Sequence, residues 1–129
     1  MIVDTSALVA IILEEPGHEK LLDILSRDEF IGVSSATLTE TAIVLTVKLG
    51  VAGRSFLDAL IHQAGITVMP YEQDYWTIAA NAFIRYGKGR HPAKLNFGDC
   101  ITYAVAAGSG QPLLYMGDDF GKTDLATVS

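Results

Sequence analysis

Met1-Ile2-Val3-Asp4-Thr5-Ser6-Ala7 opens the chain, and its reading decides the fold. Two β-favouring aliphatics run directly into a carboxylate, and a pair of small hydroxyl residues then begins a helical pattern. An apolar run this short, without polar alternation, reads as a central parallel strand buried on both faces. Asp4 then stands at its carboxyl end, where open α/β sheets keep their ligands. Asp is also a favoured N-cap for the following helix, and this stretch alone leaves both readings open. A strand from residue 2 leaves no room for a leader, and an acid at position 4 without a basic n-region is unlike a secretory signal.

Outward from this strand, the chain alternates between the two periods. Leu8, Ile11 and Ile12 give helical spacing until Glu14-Glu15-Pro16-Gly17 breaks it. The pattern predicts a helix over 18–27 with Leu21, Leu22 and Leu25 on one face, then a strand over 30–33. Ser34-Ser35 caps a long helix carrying Leu38, Ala42, Leu45 and Leu49, and a further helix covers 53–64. A strand over 66–69 closes at Pro70, and a helix over 72–86 turns Trp76, Ala79, Ala80 and Phe83 inward. A polar loop, a helix over 97–107, a strand over 112–116 and a possible edge strand near Leu125 complete the chain. Strands alternating with helices imply βαβ units. The expected fold is a three-layer α/β/α domain spanning 1–129, with a mainly parallel sheet of four to five strands.

Composition narrows the class. Half the 129 residues are hydrophobic, yet the longest apolar run, 7–13, is far short of the roughly 20 residues a membrane span needs. A mean hydropathy of +0.32 in so small a chain points instead to a stable interface, hence an oligomer. Cys100 is the single cysteine, which excludes an internal disulfide and fits a reducing cytoplasm. The formal charge of −6 argues against non-specific nucleic-acid binding by the whole surface.

Four acids fall at strand-to-helix junctions or in first turns: Asp4, Glu40, Asp99 and Asp118. Each has a structural reading of its own. Thr37 to Glu40 and Asn96 to Asp99 match capping boxes, and Gly117-Asp118-Asp119 is ordinary turn chemistry. Together they lie at one end of one sheet, where like charges resist joint ionisation. A bound divalent cation resolves this, and all-oxygen donors favour Mg²⁺ or Mn²⁺ over Zn²⁺. His18, His62 and His91 lack ligand spacing. Ser6 and Asn96 are candidates to contact a phosphate or a water at the metal, Ser6 equally to cap the first helix.

Charge is distributed unevenly. Arg85, Lys88, Arg90 and Lys94 are four of the nine Lys and Arg residues, and no acid occurs between Asp74 and Asp99. The run ends at Asn96, beside the helix bearing Asp99, where the backbone of a polyanion would need positive charge. A merely solvated face is the competing reading.

Val3-Asp4-Thr5-Ser6-Ala7-Leu8, the Glu40 segment 35–41, Leu95-Asn96-Phe97-Gly98-Asp99-Cys100 and Met116-Gly117-Asp118-Asp119-Phe120 resemble the PIN-domain ribonucleases of the VapC toxin type. Thr123-Asp124 and Tyr86-Gly87-Lys88-Gly89-Arg90-His91 extend the likeness across the chain. The resemblance implies that Asp4, Glu40, Asp99 and Asp118 hold Mg²⁺ or Mn²⁺, with Asp119 the competitor for the last place. It implies hydrolysis of RNA to 3′-hydroxyl and 5′-phosphate ends, homodimerisation, and inhibition by a VapB antitoxin whose tail enters the acidic groove. A haloacid-dehalogenase-like phosphohydrolase would need a second Asp where Ser6 stands. A receiver-like signalling module would need an early acid pair and a late Lys-Pro, and neither occurs.

Overall fold

The computed structural model describes residues 1–27 and 29–128. Four short strands, β1 (Ile2–Val3), β2 (Gly32–Ser34), β3 (Thr67–Met69) and β4 (Leu113–Leu114), form one sheet in the order β3-β2-β1-β4, every pairing parallel. Parallel pairing requires long crossovers. Six helices supply them: α1 (Thr5–Ile12), α2 (His18–Arg27), α3 (Ser35–Leu49), α4 (Ala52–Ala64), α5 (Tyr75–Tyr86) and α6 (Phe97–Ser109).

The sheet separates two cores. Val3, Val33 and Leu114 face one packed against α1, α2, α3 and α4, whereas Ile2 and Leu113 face the other, filled by α5 and α6. This alternation is the period of two that strands impose, and it makes a three-layer α/β/α fold. The chain leaves central β1 for β2 and β3, then returns to β4 on β1's other side. The element after β1, α1, packs on one face, while α6, which leads to β4, packs on the other. The topological switch point, where such sheets have their crevice, lies between the carboxyl ends of β1 and β4. Asp4 stands there.

Two features differ from the sequence reading. Trp76 and Phe83 are 67% and 41% exposed and Ala80 is also exposed; the buried face of α5 is Tyr75, Ala82 and Tyr86, with Ile78 and Ala79 packed beside it. Both stripes have helical spacing, so periodicity alone could not choose between them. Packing chooses. Gly108 leaves room for the Tyr75 ring, which any Cβ there would overlap, and Tyr86 meets Tyr103 with ring centroids 5.9 Å apart. Leu22 and Leu49 likewise lie outside the core. The tail adds one parallel bridge, Leu113 to Thr127, two residues beyond the expected Leu125, with Leu113 N–H donating to Ala126 O and Val128 N–H to Leu113 O. Cys100 is buried, as read, and burial with the nearby Asp99 charge pushes its thiol up to about 11. No helix among the described residues is long and apolar enough to cross a membrane.

Candidate active site

Asp4 is both a cap and a crevice acid. Its backbone is extended, and its Oδ2 accepts the Ser6 N–H at 3.0 Å, closing the first turn of α1. Its Oδ1 accepts the Thr102 hydroxyl from α6 at 2.7 Å. The side chain is almost wholly buried and held from both layers.

Glu40 does not cap α3. Ser34 is the N-cap, its hydroxyl accepting the Thr37 N–H, so Thr37 lies inside the helix and the expected box over 37–40 is not formed. The Glu40 carboxylate is free to reach across to α1, where Oε1 accepts the Thr5 hydroxyl at 2.8 Å. It also lies over the first turn of α6. A Cβ on Gly98 would overlap the Glu40 carboxylate, so only glycine admits this approach.

The second expected box is real. Asn96 Oδ1 accepts the Asp99 N–H at 2.9 Å, and Asp99 Oδ2 accepts the Asn96 N–H at 3.0 Å. Asn96 thus acts through Asp99. Burial raises the Asp99 carboxyl to about 6; the Asn96 N–H lowers it, and the charges of Asp4, Asp119 and Glu40 raise it further. Asp99 thus feels the charge of three other carboxylates, Asp119 of the turn among them. Asp118 and Asp119 are both exposed on the turn after β4, which Ser6 anchors by accepting the Met116 N–H at 2.9 Å. Among the described residues, no three His, Cys, Asp or Glu side chains are gathered tightly enough to hold an ion as they stand. The acids frame the crevice rather than close on one point. As an all-oxygen set with uncompensated repulsion, they fit a hard divalent cation better than any soft one.

The basic stretch divides. Arg85 pairs with Asp124 at 3.5 Å, donates to the Tyr86 hydroxyl at 2.7 Å and stacks over that ring. Asp124 also accepts the Tyr103 hydroxyl, which lowers the carboxyl and, with burial, raises the phenol. This network fastens the tail to α5 and α6, a structural task for Arg85 that the sequence did not suggest. Lys88, Arg90 and Lys94 remain exposed on the loop leading to α6. That loop is closed by Lys88 N–H to Leu95 O and Leu95 N–H to Tyr86 O.

Residues 1–125 match the PIN domain. The chain belongs to the PIN-domain family. Among its relatives are "Ribonuclease VapC" of Mycolicibacterium smegmatis, 45% identical over 99% of both chains, and "Ribonuclease VapC30" of Mycobacterium tuberculosis, 43% identical over 100% of this chain and 98% of that one. These place it with the VapC ribonucleases. A solved structure of Mycobacterium tuberculosis VapC20, a sarcin-ricin-loop-cleaving toxin, shares the fold with a TM-score of 0.80 at 20% identity, over 98% of this chain and 97% of that one. So does VapBC2 of Rickettsia felis bound to a promoter DNA fragment, with a TM-score of 0.77 at 15% identity, over 99% and 96% of the chains.

Three residues of this PIN domain's crevice escaped the sequence reading. Thr102 lies three residues beyond Asp99, a spacing that puts both on one helix face and could have flagged it. Thr5 entered only as one of the hydroxyl pair that begins the first helix, and Gly98 is legible only once α3 and α6 are known to touch.

Proposed function

We propose that this PIN-domain protein is a metal-dependent endoribonuclease and the toxin of a type II toxin–antitoxin pair. The observation carrying this reading is that the PIN-domain fold brings Asp4, Glu40 and Asp99 to one end of the sheet, Asp4 held by Thr102 of α6 and Glu40 held by Thr5 of α1 and packed against Gly98 beside Asp99. Asp4, Glu40 and Asp99 would hold Mg²⁺ or Mn²⁺. The turn supplies the fourth acid, Asp118 by position in the family pattern and Asp119 by the charge that reaches Asp99. When bound, the cation supplies the Lewis acid that polarises the scissile phosphate and makes the attacking water more acidic. Asp99 is assigned to accept that water's proton. Ser6 keeps the acidic turn against α1, and Asn96 fixes Asp99. Incubating the purified protein with single-stranded RNA in Mg²⁺ or Mn²⁺, with and without EDTA, tests the activity. Single-stranded loops suit such a site, because unstacked bases are readable.

The names of the Mycolicibacterium smegmatis and Mycobacterium tuberculosis relatives support the ribonuclease, and the VapBC complex from Rickettsia felis supports a VapB-type antitoxin. That partner's tail would cover the acidic crevice, and both would act in the cytoplasm. Nothing in the fold favours the phosphohydrolase reading, since the position it needs acidic is Ser6, whose hydroxyl accepts the Met116 N–H, and the early acid pair and late Lys-Pro of a receiver do not occur in the sequence.

Lys88, Arg90 and Lys94 position the RNA backbone, with Arg85 set aside because Asp124 holds it. Neutralising Arg90 and Lys94 together should weaken RNA binding. It should also reduce the slope of log K against log salt by roughly 0.7 per lost contact on a single strand. Titrations of an Asp4→Asn background with short RNA at several salt concentrations check this; unchanged slopes would return the loop to a solvated face.

The protein forms a homodimer through α3 and α6. Val47 and Phe97 are each 82% exposed, and Ile43 stands between them beside a groove of ≈ 290 Å³ that reaches Glu40. Light scattering should give about twice the chain's 13.8 kDa, and Val47→Asp should return the monomer mass, since a buried charge without a partner is costly.

A further inference from the structure

We infer that Thr102 is a positioning residue for Asp4, fixing that carboxylate toward the cation through a one-way chain of buried hydroxyls. The inference rests on the metal-dependent reading above. An ionised carboxylate only accepts hydrogen bonds, so the single hydroxyl hydrogen of Thr102 is committed to Asp4 Oδ1, at 2.7 Å. Thr102 Oγ1 must then accept from Thr37 Oγ1, 3.3 Å away, and Thr37 Oγ1 accepts from Ser34 Oγ at 3.3 Å. The chain has one polarity, from the end of β2 through α3 and α6 to Asp4, and each link strengthens the next.

Thr102, Thr37 and Ser34 are all buried, Thr102 completely. Valine has nearly the same shape and would fill the core position without bringing a hydroxyl that needs a partner. The partner it has is Asp4. With Oδ2 held by the Ser6 N–H, the two carboxylate oxygens are gripped from α1 and from α6, which leaves the plane of the group little freedom. Asp99 and Thr102 share one face of α6. One helix therefore presents a candidate ligand and orients a second. Outer partners of this kind typically change metal affinity by roughly 10–100-fold when removed.

Calorimetric titration of metal-free protein with Mn²⁺, without RNA, tests this on the wild type, Asp4→Asn, Thr102→Val and Thr102→Ser. Thr102→Val should weaken Mn²⁺ binding by about tenfold or more. Thr102→Ser, which keeps the donor, should bind as the wild type does. Wild-type affinity in Thr102→Val overturns the inference, and a lowered melting temperature with unchanged affinity would mark Thr102 as merely structural. Absence of Mn²⁺ binding by the wild type would instead overturn the metal reading. Should Thr102→Val not fold, Thr37→Val decides. It removes the donor to Thr102 and should weaken binding by a smaller factor, and unchanged affinity there overturns the inference.

Discussion

Replacing Asp4 by Asn should abolish RNA cleavage, by about a thousandfold or more, equivalent to ~4 kcal/mol of transition-state stabilisation, while the fold persists. Asn is as good an N-cap as Asp, so its one carbonyl oxygen can keep the Ser6 N–H and the first turn of α1 stays closed. Its amide nitrogen, which cannot accept, then faces Thr102. The lost charge is what the cation needs. EDTA should stop the wild type, and added Mg²⁺ or Mn²⁺ should restore it but not the variant. Full activity in EDTA, or in Asp4→Asn, would sink the metal reading. Asp99→Asn should be equally inactive, with an added signature. Its carboxyl sits near 6 in the fold against about 4 when exposed. The metal-free wild type therefore loses stability as pH rises from about 4 through about 6, where the folded-state acid is forced to ionise. Asp99→Asn should melt higher than the wild type at pH 7 in EDTA and at the same temperature at pH 4. A melting temperature for Asp99→Asn no higher than the wild type's at pH 7 would contradict the burial and the crowding of charge that raise the Asp99 carboxyl.

Gly98→Ala is the second large effect, and its interest is that stability and activity should move in opposite directions. Alanine within a helix is ordinarily favoured over glycine by about 0.5–1 kcal/mol. The new Cβ would meet the Glu40 carboxylate, the mobile end of a flexible side chain, which can swing aside at little cost to the fold. Swinging aside removes it from Thr5 and from Asp99. Melting should be unchanged or slightly raised, while cleavage falls by about a hundredfold or more, a loss of ~3 kcal/mol at the transition state. An active Gly98→Ala would show that Glu40 is dispensable where it now stands.

The first strand and its acid were legible because a central parallel strand ending in a carboxylate leaves few other interpretations. The capping boxes were half legible. Asn96 and Asp99 form theirs, yet Asp99 still faces the crevice, so the structural and functional readings were never exclusive. Over residues 37–40 the box was mistaken, because Ser34 lies one turn earlier and captures the cap. Which of Asp118 and Asp119 carries charge toward Asp99 depends on the course of an exposed turn, which composition does not encode. The face of α5 was misread for a related reason: the choice between Tyr75 and Trp76 is made by Gly108 on another helix. Local pattern reports what a segment tolerates, and its neighbour decides what it does.

The bridge between Leu113 and Thr127 bears on how the protein survives in a crowded cell. Exposed sheet edges are templates on which a second chain can extend the ladder and begin an aggregate. The tail covers the outer edge of β4, and the clasp of Asp124 by Tyr103 and Arg85 keeps it there. The opposite edge, β3, has no such cover among the described residues and exposes Val68, but it is three residues long and ends against Pro70, which has no N–H to offer an incoming strand. One flank of the sheet is sealed by a strap and the other by brevity. Trimming the last few residues would therefore endanger solubility before it touched the crevice.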